Sequence, residues 1–256
     1  MMKVILTVRP GEKSFVPIEA EIIAPKTFLS DYSSCTVWRG NRELLLSEVF
    51  DIACEGVAVS EDDVEIILRG DTSKIKRVGE YMDGGKITIE GDIGMHCGNF
   101  MSNGTIEIHG NADGWLGREM TGGHIICHGN AGHYCGSGYR GEKNGMSGGI
   151  IEVFKDAGDF CAECLSGGEV IVKGSCGDMA GVDMKDGILT IYGDCTRLCG
   201  NMKGGIATVF GTVHGMMPTF RKQDDVVVEG RTMSCFMGDV GNRGKGTLQI
   251  SEYDFL

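Results

Sequence analysis

From residue 83 onward the chain repeats itself about every 19 residues, and this period constrains the fold more than any other feature. Six full copies run DGGKITIEGDIGMHCGNFM (83–101), SNGTIEIHGNADGWLGREM (102–120), TGGHIICHGNAGHYCGSGYRGEKNGM (121–146), SGGIIEVFKDAGDFCAECL (147–165), SGGEVIVKGSCGDMAGVDM (166–184) and KDGILTIYGDCTRLCGNM (185–202). Partial copies flank them at 64–82 and from 203 to about 213. Positions 5 and 7 of each copy are apolar (Ile87/Ile89, Ile106/Ile108, Ile125/Cys127, Ile151/Val153, Val170/Val172, Leu189/Ile191), while positions 4, 6 and 8 are mostly polar. That alternation predicts a strand with one buried face. Glycine recurs at position 9 (Gly91, Gly110, Gly129, Gly174, Gly193) and near position 16 (Gly98, Gly117, Gly136, Gly181, Gly200), marking corners that need φ > 0 or close backbone approach. Lys155 and Ala162 depart from this pattern.

One five-residue strand per repeat cannot bury its face alone, and the connections are too short for crossover helices. The chain must therefore coil, each copy lying about 4.8 Å above the last and pairing with it in parallel. The expected fold is all-β, a single-stack parallel β-solenoid of about seven to eight rungs over 64–213, with an N-terminal cap or docking segment at 1–63 and a C-terminal cap at 214–256. Within the first cap, VWRGNRELLL reads as a hairpin about Gly40-Asn41, and Ser47–Cys54 as a short helix. Position 19 becomes a vertical column of Met82, Met101, Met120, Met146, Leu165, Met184 and Met202.

The chain holds 42 glycines against four prolines, which fits many tight corners rather than a disordered linker. A formal charge of −12 argues against a nucleic-acid partner. No long apolar run spans a membrane and no secretory signal opens the chain, so a cytoplasmic protein is expected. The odd count of 11 cysteines then reads as reduced thiols. Cys97, Cys135, Cys161 and Cys199 share position 15 with Leu116 and Ala180, and Cys176 and Cys195 share position 11 with Ile93, Ala112, Ala131 and Ala157. A column that accepts Cys, Ala, Leu or Ile calls for a small apolar side chain, so packing is read over ligation.

Other motifs carry little chemistry. The GxGxxG at 136–141 lacks the βαβ context of a dinucleotide site. Hexapeptide and calcium-binding nonapeptide periods do not fit. His109 and His128 fall at position 8 of consecutive rungs, with His124 on the same strand; without a carboxylate pattern beside them they are read as a solvated or interface face, and no metal, cofactor-binding or catalytic residue is assigned. Position 14 holds His96, Trp115, Tyr134, Phe160, Met179 and Leu198, beside the small column 15. Neighbours in extended backbone face opposite ways, so an inward column 15 makes column 14 an outward stripe, typical of an interface. The alternative is a corner that resets the alternation and packs column 14 inside. The insertion at 137–145 leaves the stack as a loop presenting Tyr139, Arg140 and Lys143. Candidate interface residues are thus Trp115, Tyr134, Phe160, Met179, Leu198, Tyr139, Arg140 and Lys143.

The repeated G-x-x-M-x-G-G-x-I-x-I pattern resembles the GXGXG solenoid domain of the glutamate synthase large subunit. The VILTVRP segment, the SGYRGEKNGMSGG insertion (137–149) and GDVGNRGKGTLQIS (238–251) make the chain more similar to the C subunits of tungsten- or molybdenum-dependent formylmethanofuran dehydrogenases of methanogenic archaea. The resemblance implies a right-handed parallel β-helix acting as a non-catalytic scaffold subunit in an oxidoreductase complex of methanogenesis. That complex reduces CO2 and attaches it to methanofuran as formylmethanofuran. It also implies that partner subunits, not this chain, hold the metal–bis-pterin centre (tungsten or molybdenum), the binuclear zinc site of an amidohydrolase subunit, and the iron–sulfur clusters of ferredoxin-like subunits. The competing readings are a glutamate synthase-type solenoid that spaces an amidotransferase from a flavin domain, and an independent metal or redox protein using the cysteine columns.

Overall fold

The computed structural model describes residues 1–9 and 16–255; Pro10, which closes the VILTVRP match, and Leu256, the last residue of the C-terminal segment, lie outside the described residues. Each repeat contributes one strand: Asp83–Ile89, Asn103–Ile108, Thr121–Cys127, Ser147–Val153, Ser166–Val172 and Asp186–Ile191. Consecutive strands pair in parallel with equal repeat positions facing one another, so that Ile87, Ile106, Ile125, Ile151, Val170 and Leu189 form one ladder. A second parallel ladder links Ile93, Ala112, Ala131, Ala157 and Cys176 at position 11. The architecture is an all-β solenoid built around one large, mostly parallel sheet.

The interior follows the alternation. Positions 5 and 7 are buried in every copy, as is the whole methionine column from Met82 to Met202. Burying each of these side chains contributes roughly 1.5–3 kcal/mol, set against the entropy of ordering a glycine-rich backbone.

Both flanks continue the ladder. Val64–Arg69 pairs in parallel with Asp83–Ile89, and Met2–Val8 pairs in parallel beyond it. Phe50–Gly56 then runs antiparallel on the outer edge of Met2–Val8. At the other end Ile206–Met216 and Gly246–Phe255 extend the parallel stack, and Arg231–Gly238 covers it antiparallel. A smaller four-stranded sheet is made by Arg42–Leu45, Thr36–Arg39, Ile18–Glu19 and Ile75–Lys76. Its hairpin turns at Gly40, φ +61°, as the sequence predicts. The expected helix is shorter than its predicted span: Leu46–Val49 makes a single turn, and from Phe50 onward pairing with Met2–Val8 draws the chain into a strand. Among the described residues no helix is long and apolar enough to cross a membrane.

Two glycine columns have different causes. At position 16 the backbone is left-handed and Cα faces the core: a Cβ on Gly98 would lie 2.5 Å from Ile125 Cδ1, and one on Gly117 would lie 2.5 Å from Ile151 Cδ1. Ala162 takes this position in the fourth full copy with φ +58°. At position 9 the glycines do not have positive φ; at Gly110, Gly129, Gly174 and Gly193 the reason is proximity, since a Cβ on Gly129 would sit 2.6 Å from the Gly110 carbonyl carbon, whereas one on Gly91 would meet nothing closer than 3.8 Å. Lys155 does carry a Cβ there, and its N–H reaches Gly129 O at 3.3 Å, against 2.9 Å for Gly129 to Gly110.

Candidate functional site

Column 14 is where the corner presents large side chains to the outside. The residues Arg77, His96, Trp115, Tyr134, Phe160, Met179 and Arg197 all have φ between 49° and 67°. A left-handed conformation costs a non-glycine residue about 1–2 kcal/mol, so the ladder must enforce it. Each N–H in the column donates to the carbonyl of the next rung (Trp115 to His133 O, 2.9 Å; Tyr134 to Asp159 O, 2.9 Å; Phe160 to Asp178 O, 2.8 Å). Two residues on, the N–H turns the other way and donates to the previous rung (Gly117 to Cys97 O, 2.8 Å; Gly136 to Leu116 O, 2.8 Å). The backbone thus bonds alternately up and down the stack around a sharp corner. Column 15 faces in: Cys97, Leu116, Cys135, Cys161 and Ala180 are all buried.

Three column assignments, those of Leu198, Cys199 and Gly200, need correction in the last full copy. Met179 N–H donates to Thr196 O, and Cys199 N–H to Ala180 O. The residue missing from that copy is therefore at position 12, and everything after it moves one place. Arg197, not Leu198, continues the outward column; Leu198 is 1% exposed and belongs to the core. Cys199, with φ +55°, occupies the corner expected for Gly200. The Arg197 guanidinium pairs with Asp178 of the rung before it, Nε to Oδ1 at 2.8 Å. A gap in a repeat can be placed anywhere by composition alone; only the ladder hydrogen bonds locate it.

Four rings of the column stack face to face. His96–Trp115, Trp115–Tyr134 and Tyr134–Phe160 have centroids 5.1, 4.9 and 5.0 Å apart and interplanar angles of 20°, 7° and 6°. Stacked pairs of this kind contribute about 0.5–1.5 kcal/mol each beyond area burial. Tyr139 of the insertion folds back over them, 6.1 Å from Trp115 and 6.4 Å from His96, and Arg118 lies 5.1 Å over its ring. Arg118 also covers Phe100, which stacks on Tyr81 at 4.8 Å. Sequence reasoning did not single out Tyr81, Phe100 or Arg118; Tyr81 and Phe100 are 19 residues apart and share position 18, whereas Arg118 falls one place earlier in its copy, outside that column. Arg140 lines a small recess with Tyr134 and Tyr139. Lys143 is exposed, and its carbonyl accepts from Lys185 Nζ at the start of the copy three further on.

The stripe ends at a polar cleft of about 320 Å³ lined by Glu19, Lys76, Arg77, Glu80, His96, Asn99, Arg118 and Tyr139. Arg77 forks onto the buried Glu80 at 2.6 and 3.0 Å. Burial, then Arg118 and Lys76, bring the His96 pKa down to about 4, so its imidazole is neutral near pH 7. Four buried polar atoms here have no hydrogen-bond partner among the described residues: His96 Nδ1, Asn99 Oδ1, Trp115 Nε1 and Arg118 Nε. Leaving such atoms unpaired costs about 1–3 kcal/mol each.

The cysteine columns pack as small apolar residues. Eight cysteines are buried, Cys35 and Cys164 are half-buried and Cys54 is exposed. Burial pushes Cys195 up to about 12, and a hydrogen bond to Cys161 followed by burial holds Cys135 and Cys176 well above the usual thiol range. In Cys161-x-x-Cys164 the first thiol lies in the core and the second sits at an outward position, so the pair does not converge on one ligand. On the strand face, Glu107 stands beside both His109 and His128, a carboxylate that sequence reasoning did not place there. His124 is engaged elsewhere, with Glu152 at 2.8 Å.

The C subunit of a tungsten-containing formylmethanofuran dehydrogenase 2 from Methanococcus maripaludis is 48% identical over 246 residues, covering 94% of this chain and 88% of that protein. The chain belongs to the C-subunit family of formylmethanofuran dehydrogenases. The C subunit of a molybdenum-containing formylmethanofuran dehydrogenase 1 from Methanosarcina barkeri is 36% identical over 100 residues, 38% of this chain and 32% of that one. No family model matches the chain. Among solved structures, a chain of the formyltransferase/hydrolase complex FhcABCD from Methylorubrum extorquens, crystallised with methylofuran, superposes with a TM-score of 0.85 at 24% identity, covering 96% of this chain and 98% of that one. That likeness supports the solenoid fold. Family membership sets aside the glutamate synthase reading.

Proposed function

We propose that the chain is a non-catalytic scaffold subunit of a cytoplasmic formylmethanofuran dehydrogenase complex, which reduces CO2 and attaches it to methanofuran as formylmethanofuran. In this reading it is a right-handed parallel β-helix of about seven to eight rungs. The tungsten or molybdenum bis-pterin, the binuclear zinc and the iron–sulfur clusters belong to metallopterin, amidohydrolase and ferredoxin-like partner subunits. Family membership supports the assignment to that complex.

One observation carries the docking role: the stacked column His96–Trp115–Tyr134–Phe160 runs along the outside and ends at four buried polar atoms without hydrogen-bond partners among the described residues. An aromatic stripe beside unsatisfied hydrogen-bonding groups fits an interface core, where a partner excludes water from the rings and supplies the missing bonds. Tyr139 and Arg140 extend this surface from the insertion. The test is co-purification of the partner subunits with a Trp115→Ser/Phe160→Ser double variant. Loss of assembly by a folded variant is expected. Normal assembly, or unfolding of the variant chain, would overturn the docking role.

A further inference from the structure

We propose that Glu107, His109 and His128 form a binding site for one divalent transition-metal ion of the zinc class, on the outer face of the parallel sheet. The proposal does not rest on the scaffold reading. It starts from strand geometry. Glu107 and His109 flank the buried Ile108, so both point outward from the same chain segment. Cys127 pairs with Ile108 in the next rung, and His128 N–H donates to Ile108 O at 2.8 Å, which sets His128 directly beside His109. Two residues of one strand and one of its neighbour thus converge on one point.

The donor atoms are already close to a ligand set. Glu107 Oε1 lies 3.6 Å from His109 Nε2 and 3.3 Å from His128 Nε2, and all three atoms fall within 4.8 Å of one another. In a tetrahedral zinc site, with bonds of about 2.0–2.2 Å, ligand atoms are separated by about 3.3–3.5 Å. Only the two imidazoles need to approach each other, and both are exposed enough to rotate, with side-chain exposures of 48% and 40%. Their rings meet edge to face at 5.6 Å, and Phe154 closes the far side of His128 at 5.1 Å.

The other oxygen of the carboxylate has its own partner. Lys86 Nζ holds Glu107 Oε2 at 2.9 Å, which orients the group and leaves Oε1 for the ion, at the cost of one nearby positive charge. Orientation of a metal-binding carboxylate by an outer partner is common in such sites. Two histidines and one carboxylate select zinc-like ions over calcium or magnesium, which prefer all-oxygen shells. Three protein ligands leave a fourth position open toward solvent, which water fills.

The experiment is titration of the full-length, metal-free chain with Zn²⁺ by calorimetry and with Co²⁺ by visible absorption. One ion per chain is expected, with the intense d–d bands of a four-coordinate cobalt centre. His109→Gln/His128→Gln and Glu107→Gln should each weaken binding by about tenfold or more. His124→Gln should leave it unchanged, because that ring is held by Glu152. All substituted side chains are outside the core, and circular dichroism verifies that each variant is folded. Absence of stoichiometric binding, octahedral-type weak cobalt bands, or undiminished binding by the double histidine variant would each overturn the site.

Discussion

Gly129→Ala tests the most distinctive claim about the corners, that Gly110, Gly129, Gly174 and Gly193 at position 9 are required by proximity between rungs and not by left-handed backbone. A Cβ there would stand 2.6 Å from both the Gly110 carbonyl carbon and Asn111 Oδ1, where about 3.4 Å is the ordinary limit of contact. The rungs cannot separate freely, because Gly129 N–H donates to Gly110 O at 2.9 Å and the flanking strands are locked in register. The natural exception gives the scale of relief available: at Lys155 the corresponding bond stretches to 3.3 Å. Overpacking of this kind costs about 1–3 kcal/mol, and a weakened ladder bond adds up to about 1 kcal/mol. The expected loss is about 2–3 kcal/mol, a fall in Tm of about 5–10 °C for a chain of this size. Urea denaturation followed by circular dichroism measures it. Two companions make the cause separable. Gly141→Ala, at φ +91° with nothing within 4 Å, should cost only the left-handed penalty of about 1–2 kcal/mol. Gly129→Asn should be at least as damaging as Gly129→Ala, because asparagine tolerates left-handed backbone but is larger. A loss below about 0.5 kcal/mol for Gly129→Ala, or an asparagine variant more stable than the alanine one, would refute the reasoning.

Two further outcomes follow from burial. Maleimide labelling of the native chain, read by mass spectrometry, should modify Cys54 first and Cys35 and Cys164 more slowly, while the eight buried cysteines react only on unfolding. Rapid native labelling of Cys135 or Cys161 would contradict the core placement. His96 should make stability depend on acid: its folded pKa of about 4 lies below the unfolded value of 6.5, so the unfolded chain takes up the proton first. The stabilisation is complete above about pH 6.5 and declines as pH falls toward 4, by about 1–2 kcal/mol once the half-exposed ring is discounted for solvent screening. Urea midpoints of the parent and His96→Gln at pH 7 and pH 4.5 should converge at the lower pH; equal differences at both would rule this out.

The parts of the molecule legible in the sequence are those set by local alternation repeated in register. Ile87 and Ile89 must share a face because strand side chains alternate, and the same pair recurs 19 residues later, so the inward columns and the methionine column could be read directly. The outward direction of Trp115 and Tyr134 was one of two readings the sequence left open, and the left-handed corner decides it. Other features depended on groups far apart in the chain. Leu198 and Arg197 exchange roles because the hydrogen bonds of Met179 and Cys199 place the gap at position 12, which the residues of that copy do not encode. Met2–Val8 and Gly246–Phe255 join the parallel ladder because an exposed strand edge takes whichever partner the fold brings to it, and nothing in their own patterns names that partner. The left-handed backbone of Trp115, Tyr134 and Phe160 opposes their intrinsic preference and exists only because the rungs above and below bind it. Likewise Glu107 meets His128 of the adjacent rung, a contact decided by the register of the sheet and not by either segment alone.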